Sequence, residues 1–362
     1  MNESPIQIKK GSIVEFLKEK RKEIDEVISK FLPKEPTEED MIRLFGKPSY
    51  RYDVETFRKA FCEPVWDFMS RGGKRWRPTF FLLLYEALGG NPKEVMNLVV
   101  IPELMHNGSI IIDDIQDGSE LRRGKPCIHK IYGEDIAINV GNFLYFYPFL
   151  SLINNGNIDE KRRLKALEMI IFEMTKLHLG QGTDIAWHRG WKKEISEEEY
   201  LEMCANKTGG LARLSAKLAA ILAGKDNETV EKIGKIAESV GVAFQIQDDI
   251  INLTSKKFQE MKGYGEDITE GKRSLLVIYT LSKASDQDKK RLLEILDKHT
   301  TDKKLIDEAI SIMEKYGAIE YAKKRAREIV LSAWEEAKDL LNDGPAKERL
   351  QEFIMYLVER DI

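Results

Sequence analysis

Cysteine is scarce. The 362 residues hold three, Cys62, Cys127 and Cys204, odd in number and far apart. They give neither a disulfide framework nor a zinc spacing, which fits a reducing cytosol. Cys127 and Cys204 have no base at motif spacing, so no nucleophile role is assigned to them. Long apolar runs are missing too. The longest, such as 80–85, are too short to span a bilayer. The polar start, Met1 to Lys10, lacks the apolar segment of a signal peptide. A cytoplasmic protein with no transmembrane segment is therefore expected. Charge of one sign does not dominate: 57 basic and 61 acidic residues leave a net charge of −4, so no nucleic-acid-binding surface is expected. Strand alternation, low-complexity linkers and a fixed-period repeat are absent. The glycine pairs match neither a P-loop nor a dinucleotide fingerprint.

What is present is helical periodicity. Ile13, Val14, Phe16, Leu17, Ile24, Val27, Ile28 and Phe31 recur at helical spacing, and Pro33 and Pro36 close that helix. The apolar stretch from Thr79 stops at Gly89-Gly90. Ser196 with Glu199 reads as a capping box. A long helix is expected to end near His178, before Gly180-Gln181-Gly182-Thr183-Asp184, and 118–133 reads as a polar loop. The pattern predicts an all-α, single-domain helical bundle over 1–362 with roughly ten or more helices. Residues 1–12 read as a flexible tail.

Two acidic helix ends organise the chain. In the first, Asp113, Asp114 and Asp117 follow the apolar run Ile110–Ile112. In a helix Asp113 and Asp117 share a face, and Asp114 lies 100° round. Like charges at that spacing repel unless a cation relieves them. Mg²⁺ takes a few carboxylates, keeps waters and completes its shell with substrate phosphate, so a metal–diphosphate clamp is one reading. A solvated acidic helix end is the other. The second motif has Asp248, Asp249 and Asn252, where Asn252 offers a carbonyl oxygen but no charge. Two such ends facing one another would ring a cavity with carboxylates and invite a two-metal grip on phosphate.

Basic residues complement them. Gly72-Gly73-Lys74-Arg75 with Arg77 puts cations and flexible backbone near a helix start. Arg122 and Arg123 follow the first acidic motif, and Lys207, Lys262 and Lys272 sit beside glycine or threonine at helix breaks. Any one of these lysines reads better as surface charge. As a set they imply two diphosphates. His106 lies two turns before Asp113 on the same face, as a site residue or a satisfied core histidine. Gln181 and Asp184 can line the same cavity. The aromatics from Phe143 to Phe149 read as core, with some able to wall an apolar tunnel.

The ordered motifs Gly72–Pro78, Asp113–Asp117, Leu121–Pro126, Gly180–Asp184, Lys207–Gly210, Phe244–Asp249 and Gly265–Lys272 resemble those of the trans-isoprenyl diphosphate synthases, also called polyprenyl synthetases. Within that family the chain is most similar to geranylgeranyl diphosphate synthases. The resemblance covers roughly 60–280. It implies the isoprenoid synthase bundle with a central cavity, and Mg²⁺-dependent head-to-tail condensation of isopentenyl diphosphate with an allylic diphosphate (dimethylallyl, geranyl or farnesyl). It further implies a homodimer and a cluster of three Mg²⁺. The cluster would be held by Asp113, Asp114, Asp117 and Asp248, with Asp184 and Asp249 in or near it. Arg122, Lys207 and Lys262 would contact the allylic diphosphate, and Lys74, Arg75, His106 and Arg123 the isopentenyl diphosphate. Lys207, Thr208 and Gln245 would face the developing cation, and Lys272 would close over the metals.

In that family bulky side chains four or five residues before the first aspartate stop growth early. Here these positions are Ser109 and Gly108, both small. The tunnel is expected to be open there, with a floor at Met105 or at Phe143 or Tyr147. The expected product has twenty carbons, and a Gly108→Phe variant is expected to shorten it. Longer products, a terpene cyclase and a non-catalytic partner subunit are the alternatives. Asn142 and Asn252 depart from the commonest family pattern.

Overall fold

The computed structural model describes residues 10–255 and 264–359. Lys262 lies outside them. The first half runs α1 (Lys10–Phe31), α2 (Glu38–Phe45), α3 (Val54–Phe57), a π-helical turn (Arg58–Cys62), α4 (Glu63–Ser70) and α5 (Trp76–Ala87). Two 3-10 turns lead into α6 (Val100–Gln116), α7 (Ile128–Tyr132), α8 (Glu134–Phe146) and α9 (Leu150–Ile153). The second half runs α10 (Glu160–His188), α11 (Glu197–Lys207), α12 (Gly209–Leu222), α13 (Asn227–Thr254), α14 (Glu266–Thr269) and α15 (Leu275–Lys283). It ends with α16 (Asp286–Asp297), α17 (Lys303–Lys315), α18 (Ala318–Ala337) and α19 (Pro345–Glu359). One contiguous hydrophobic cluster takes side chains from α1 through α19.

Local chemistry starts several helices where the sequence indicates. Ser196 and Glu199 form the capping box of α11, and Asp226 caps α13 through the Thr229 amide. Helix α12 is buried on every side, including Arg213 and Lys217. It is the axle of the bundle, packed against α5, α10 and α13. The all-α expectation holds, with one addition. Residues 118–133 contain a two-stranded hairpin, Leu121–Arg122 paired with Lys125–Pro126. Its turn residues Arg123 and Gly124 both have positive φ, 56° and 75°, the pattern of the hairpin turn whose twist matches paired strands.

Helix α10 does not stop near His178. It runs through Gly180 to His188, because Gly180 is a contact residue and not a stop. A Cβ there would lie 2.4 Å from the Lys207 backbone nitrogen. One stretch, Glu134–Ile153, is long and apolar enough to cross a membrane by length and composition alone. Here it is split into α8, a 3-10 turn and α9, and Val140, Leu144 and Tyr147 are core.

Candidate active site

The C-terminal end of α6, the Gly180–Asp184 turn of α10, the α11–α12 break and the last turns of α13 meet around a cavity of about 400 Å³. Asp113 and Asp117 of α6 line it, as do Asp248 and Asp249 of α13. Helical spacing puts both members of the first pair on one face, as the sequence implied.

Cations of the chain hold this acidic cluster together. Lys207 Nζ lies 2.6 Å from Asp184 and 3.2 Å from Asp113. The Gln181 amide donates to Asp113 at 2.8 Å. Burial works against the Asp113 carboxylate, but Lys207 and Arg122 outweigh it and hold its pKa below the usual value. Asp117 has less help: burial and the Asp113 charge push it up to about 6. On α13 burial pushes Asp249 up to about 6 as well, with Lys272 at 3.7 Å. His188 stands 3.0 Å from Asp184. Burial opposes its charged form, yet the Asp184 carboxylate leaves its pKa raised.

A hydrogen-bonded chain crosses the floor between α11 and α13. The Thr208 hydroxyl donates to Gln245 Oε1 at 2.7 Å, and Gln245 Nε2 donates to Asp249 at 2.8 Å. The buried Tyr200 hydroxyl donates to the other Asp249 oxygen at 2.7 Å. Both Asp249 oxygens are thus occupied, and the Gln245 amide is fixed in one orientation. Asn252 accepts from the Asp267 amide at 3.4 Å, so it braces α14 against α13.

A second basic group shares this cavity. Lys74, Arg77, Arg123 and His106 all line the cavity. Arg77 Nη1 is 3.0 Å from His106 Nε2. Burial and Arg77 push the His106 pKa well below the usual value, so the ring is neutral and accepts from Arg77. Arg123 is held by the carbonyls of Phe68 and Gly72 at 3.2 and 3.1 Å, and burial lowers its pKa to about 10. Lys74 is exposed and lies 5.2 Å from the Tyr356 ring of α19.

Several residues singled out in the sequence sit elsewhere. Arg75 is not on the cavity wall. Its left-handed backbone, φ 51°, turns the guanidinium inward to Asp25 at 2.7 Å and Glu103 at 3.2 Å. Arg77, in the first turn of α5, occupies the wall in its place. Asp114 is fully buried behind the wall and pairs with Arg122 at 2.5 Å, as its 100° offset from Asp113 allows. Gly108 faces α8: a Cβ there would lie 2.8 Å from Leu144 Cβ and 2.9 Å from the Gly141 carbonyl. Ser109 and Ile110 face the cavity instead. Met105 is buried in the core off the cavity wall. Phe143 stacks on Tyr147 at 4.6 Å and against Phe61 at 4.9 Å, in an aromatic cluster away from the wall. Tyr200, His188 and Asp267 were not anticipated. Tyr200 lies seven residues before Lys207, two turns along one face of α11, which is the only signal it gave.

No three described His, Cys, Asp or Glu side chains form a ready-made metal cage. Mg²⁺ does not require one, because it binds through one or two carboxylates plus substrate phosphates. The oxygen-only donor set, with Asp117 raised to about 6 by burial and the Asp113 charge, fits that ion.

A polyprenyl synthetase family model matches residues 58–313. A short chain isoprenyl diphosphate synthase of Methanothermobacter thermautotrophicus is 36% identical over 293 residues, 81% of this chain and 88% of that protein. A geranylgeranyl diphosphate synthase of Methanosarcina mazei is 31% identical over 355 residues, 97% of this chain and 98% of that protein. The solved structure of a geranylgeranyl pyrophosphate synthetase from Pyrococcus horikoshii superposes with a TM-score of 0.83 at 33% identity, covering 98% of this chain and 100% of that one. With its helical fold and two aspartate motifs, the chain belongs to the polyprenyl synthetase family, trans-prenyltransferases that elongate prenyl diphosphates.

Proposed function

We propose that this chain condenses isopentenyl diphosphate with an allylic diphosphate, and that its product is geranylgeranyl diphosphate. The carrying observation is that one cavity is lined by six cations, enough for two diphosphates, which we divide into two seats. Lys74, Arg77 and Arg123 form one, and Arg122, Lys207 and Lys272 form the other beside the aspartates. A cyclase acting on one diphosphate has no use for the first seat. The twenty-carbon product rests on the names of the relatives, since Gly108, expected to be an open tunnel position, is a helix contact, and the expected floor residues Met105, Phe143 and Tyr147 lie off the cavity wall.

In this reading the allylic diphosphate sits at the aspartates, and isopentenyl diphosphate sits at Lys74, Arg77, Arg123 and neutral His106. Asp113, Asp117 and Asp248 would hold Mg²⁺, three ions being the expected number, with Asp184 and Asp249 beside them. Bound there, Mg²⁺ neutralises charge on the leaving diphosphate oxygens. Asp114 acts at one remove by orienting Arg122. Lys207 and Arg122 bind the leaving group as its C–O bond breaks. The Thr208 and Gln245 oxygens, fixed by their hydrogen bonds, face the allylic cation and stabilise it electrostatically. The isopentenyl double bond forms the new C–C bond, and the proton lost afterwards passes to the released diphosphate. Closure by Lys272 and α14 excludes water, which would otherwise capture the cation.

The proposed assembly is a homodimer. Ile138 and Phe146 on α8, with Leu164, Ile171, Phe172 and Leu179 on α10, are exposed apolar residues of the kind that marks a protein contact. Asn142 is exposed between Ile138 and Phe146 on α8, which puts this departure on the proposed interface. A cytoplasmic location fits the three buried free thiols. Chromatography of products from labelled isopentenyl diphosphate and each of the three allylic primers tests the proposal. Twenty-carbon diphosphate supports it, a longer chain corrects the product, and cyclised hydrocarbon without isopentenyl label refutes it.

A further inference from the structure

The α11–α12 break carries Lys207 and Thr208 into the cavity, and it is pinned with almost no cushioning. On one side Gly180 of α10 meets the Lys207 backbone. On the other, a Cβ at Gly241 of α13 would lie 2.6 Å from Gly209 Cα and 3.3 Å from the Thr208 carbonyl. The backbones of α10, the break and α13 are therefore in direct contact. Such contact fixes separation but not angle, so something must also hold the break along its axis.

Arg213 meets that need. It lies six residues beyond Lys207 on α12, 3% exposed, and it is not on the cavity wall. Its Nε donates to Glu173 of α10 at 2.6 Å. Its Nη1 donates to the Ala205 carbonyl in the last turn of α11 at 3.1 Å and also meets Glu238 of α13. One guanidinium thus ties α12 to the three helices that supply Asp184, Lys207 and Gln245. The Ala205 carbonyl sits where intrahelical donors run out, and it precedes Lys207 by two residues.

We infer that Arg213 is a positioning residue for the prenyl transfer reaction, holding the break so that Lys207 and Thr208 address the leaving group and the cation. The inference rests on the reading of the cavity given above. It is distinct from a stabilising role because only the bond to Ala205 acts on the break. Glu173 and Glu238 compensate the charge.

Two variants separate the roles. Arg213→Lys keeps the charge, but one ammonium cannot occupy the places of both Nε and Nη1. Glu173→Gln weakens the ion pairing and leaves the bond to Ala205. Steady-state kinetics are measured with farnesyl diphosphate and isopentenyl diphosphate, beside thermal melts. Misplacing a reacting group by an ångström can cost ~100-fold, so Arg213→Lys is expected to lose ~10-fold or more in kcat with KM for isopentenyl diphosphate unchanged. Glu173→Gln is expected to melt lower with kcat near wild type. Unchanged kcat in folded Arg213→Lys, or kcat falling in both variants in step with Tm, overturns the inference. Should Arg213→Lys not fold, the charge-balanced pair Arg213→Gln with Glu238→Gln is read by the same criteria. Failure of the wild-type chain to incorporate isopentenyl units would instead refute the proposed function.

Discussion

Substitutions at Gly108 and Ser109 separate a helix contact from a tunnel wall. Gly108 is buried where α6 crosses α8. An added methyl would meet Leu144 Cβ at 2.8 Å and the Gly141 carbonyl at 2.9 Å. The second is backbone and cannot rotate away, so the helices must separate by several tenths of an ångström. Replacing a helical glycine by alanine favours the helix by ~1 kcal/mol, and overpacking costs ~1–3 kcal/mol. Gly108→Ala should therefore end between neutral and ~2 kcal/mol destabilised, a Tm drop of at most a few degrees. Gly108→Phe should fail to fold or melt far lower. Ser109 is half-buried and faces the cavity, so Ser109→Phe should fold, keep its Tm within ~2 °C and make a shorter product. Product chromatography beside thermal melts reads both effects. A Gly108→Phe protein with wild-type Tm and a shortened product would refute this placement of α6.

Other perturbations probe separate parts of the account. Arg77→Gln should raise KM for isopentenyl diphosphate ~10-fold or more, the range for losing a charged hydrogen bond, whereas Arg75→Gln should chiefly lower Tm. The reverse pattern in kinetics would restore Arg75 to the wall. His106 is held neutral in the fold, while an unfolded histidine titrates near 6.5. Below that pH only the unfolded chain gains the proton, so stability is lost as pH falls through it. At pH 5.5 the loss is ~1.4 kcal/mol relative to neutral pH. His106→Gln should shrink the gap between urea stabilities at pH 7.5 and 5.5 by that amount, and an unchanged gap would mean the imidazole is not buried neutral. Phe146→Glu should shift the chain from dimer to monomer in light scattering after size exclusion, and an undisturbed dimer would place the interface elsewhere.

Much of the fold could be read before the structure. Helical periodicity, capping residues and the two aspartate motifs depend on local spacing, and local spacing survives folding. What could not be read depends on which way adjacent residues turn. Asp113 and Asp114 are neighbours in sequence, yet one lines the cavity and the other is buried against Arg122. Arg75 and Arg77 trade places because Arg75 adopts a left-handed backbone that no propensity announces. Gly108 lies five residues from Asp113, which is 140° round the helix, so family analogy gave the position but not its facing. The hairpin at Leu121–Pro126 has strands too short to alternate. Gly180 read as a helix stop because its real partner, the Lys207 backbone, is 27 residues away. Tyr200 carries no motif, and its tie to Asp249 exists only once α11 and α13 pack.

The most direct test is incorporation of labelled isopentenyl diphosphate by the purified chain with Mg²⁺ and farnesyl diphosphate, run beside Asp113→Ala. The account predicts a labelled twenty-carbon diphosphate from the wild type and loss of most turnover in the variant. No labelled product from the wild type, or near-normal turnover in Asp113→Ala, would contradict it.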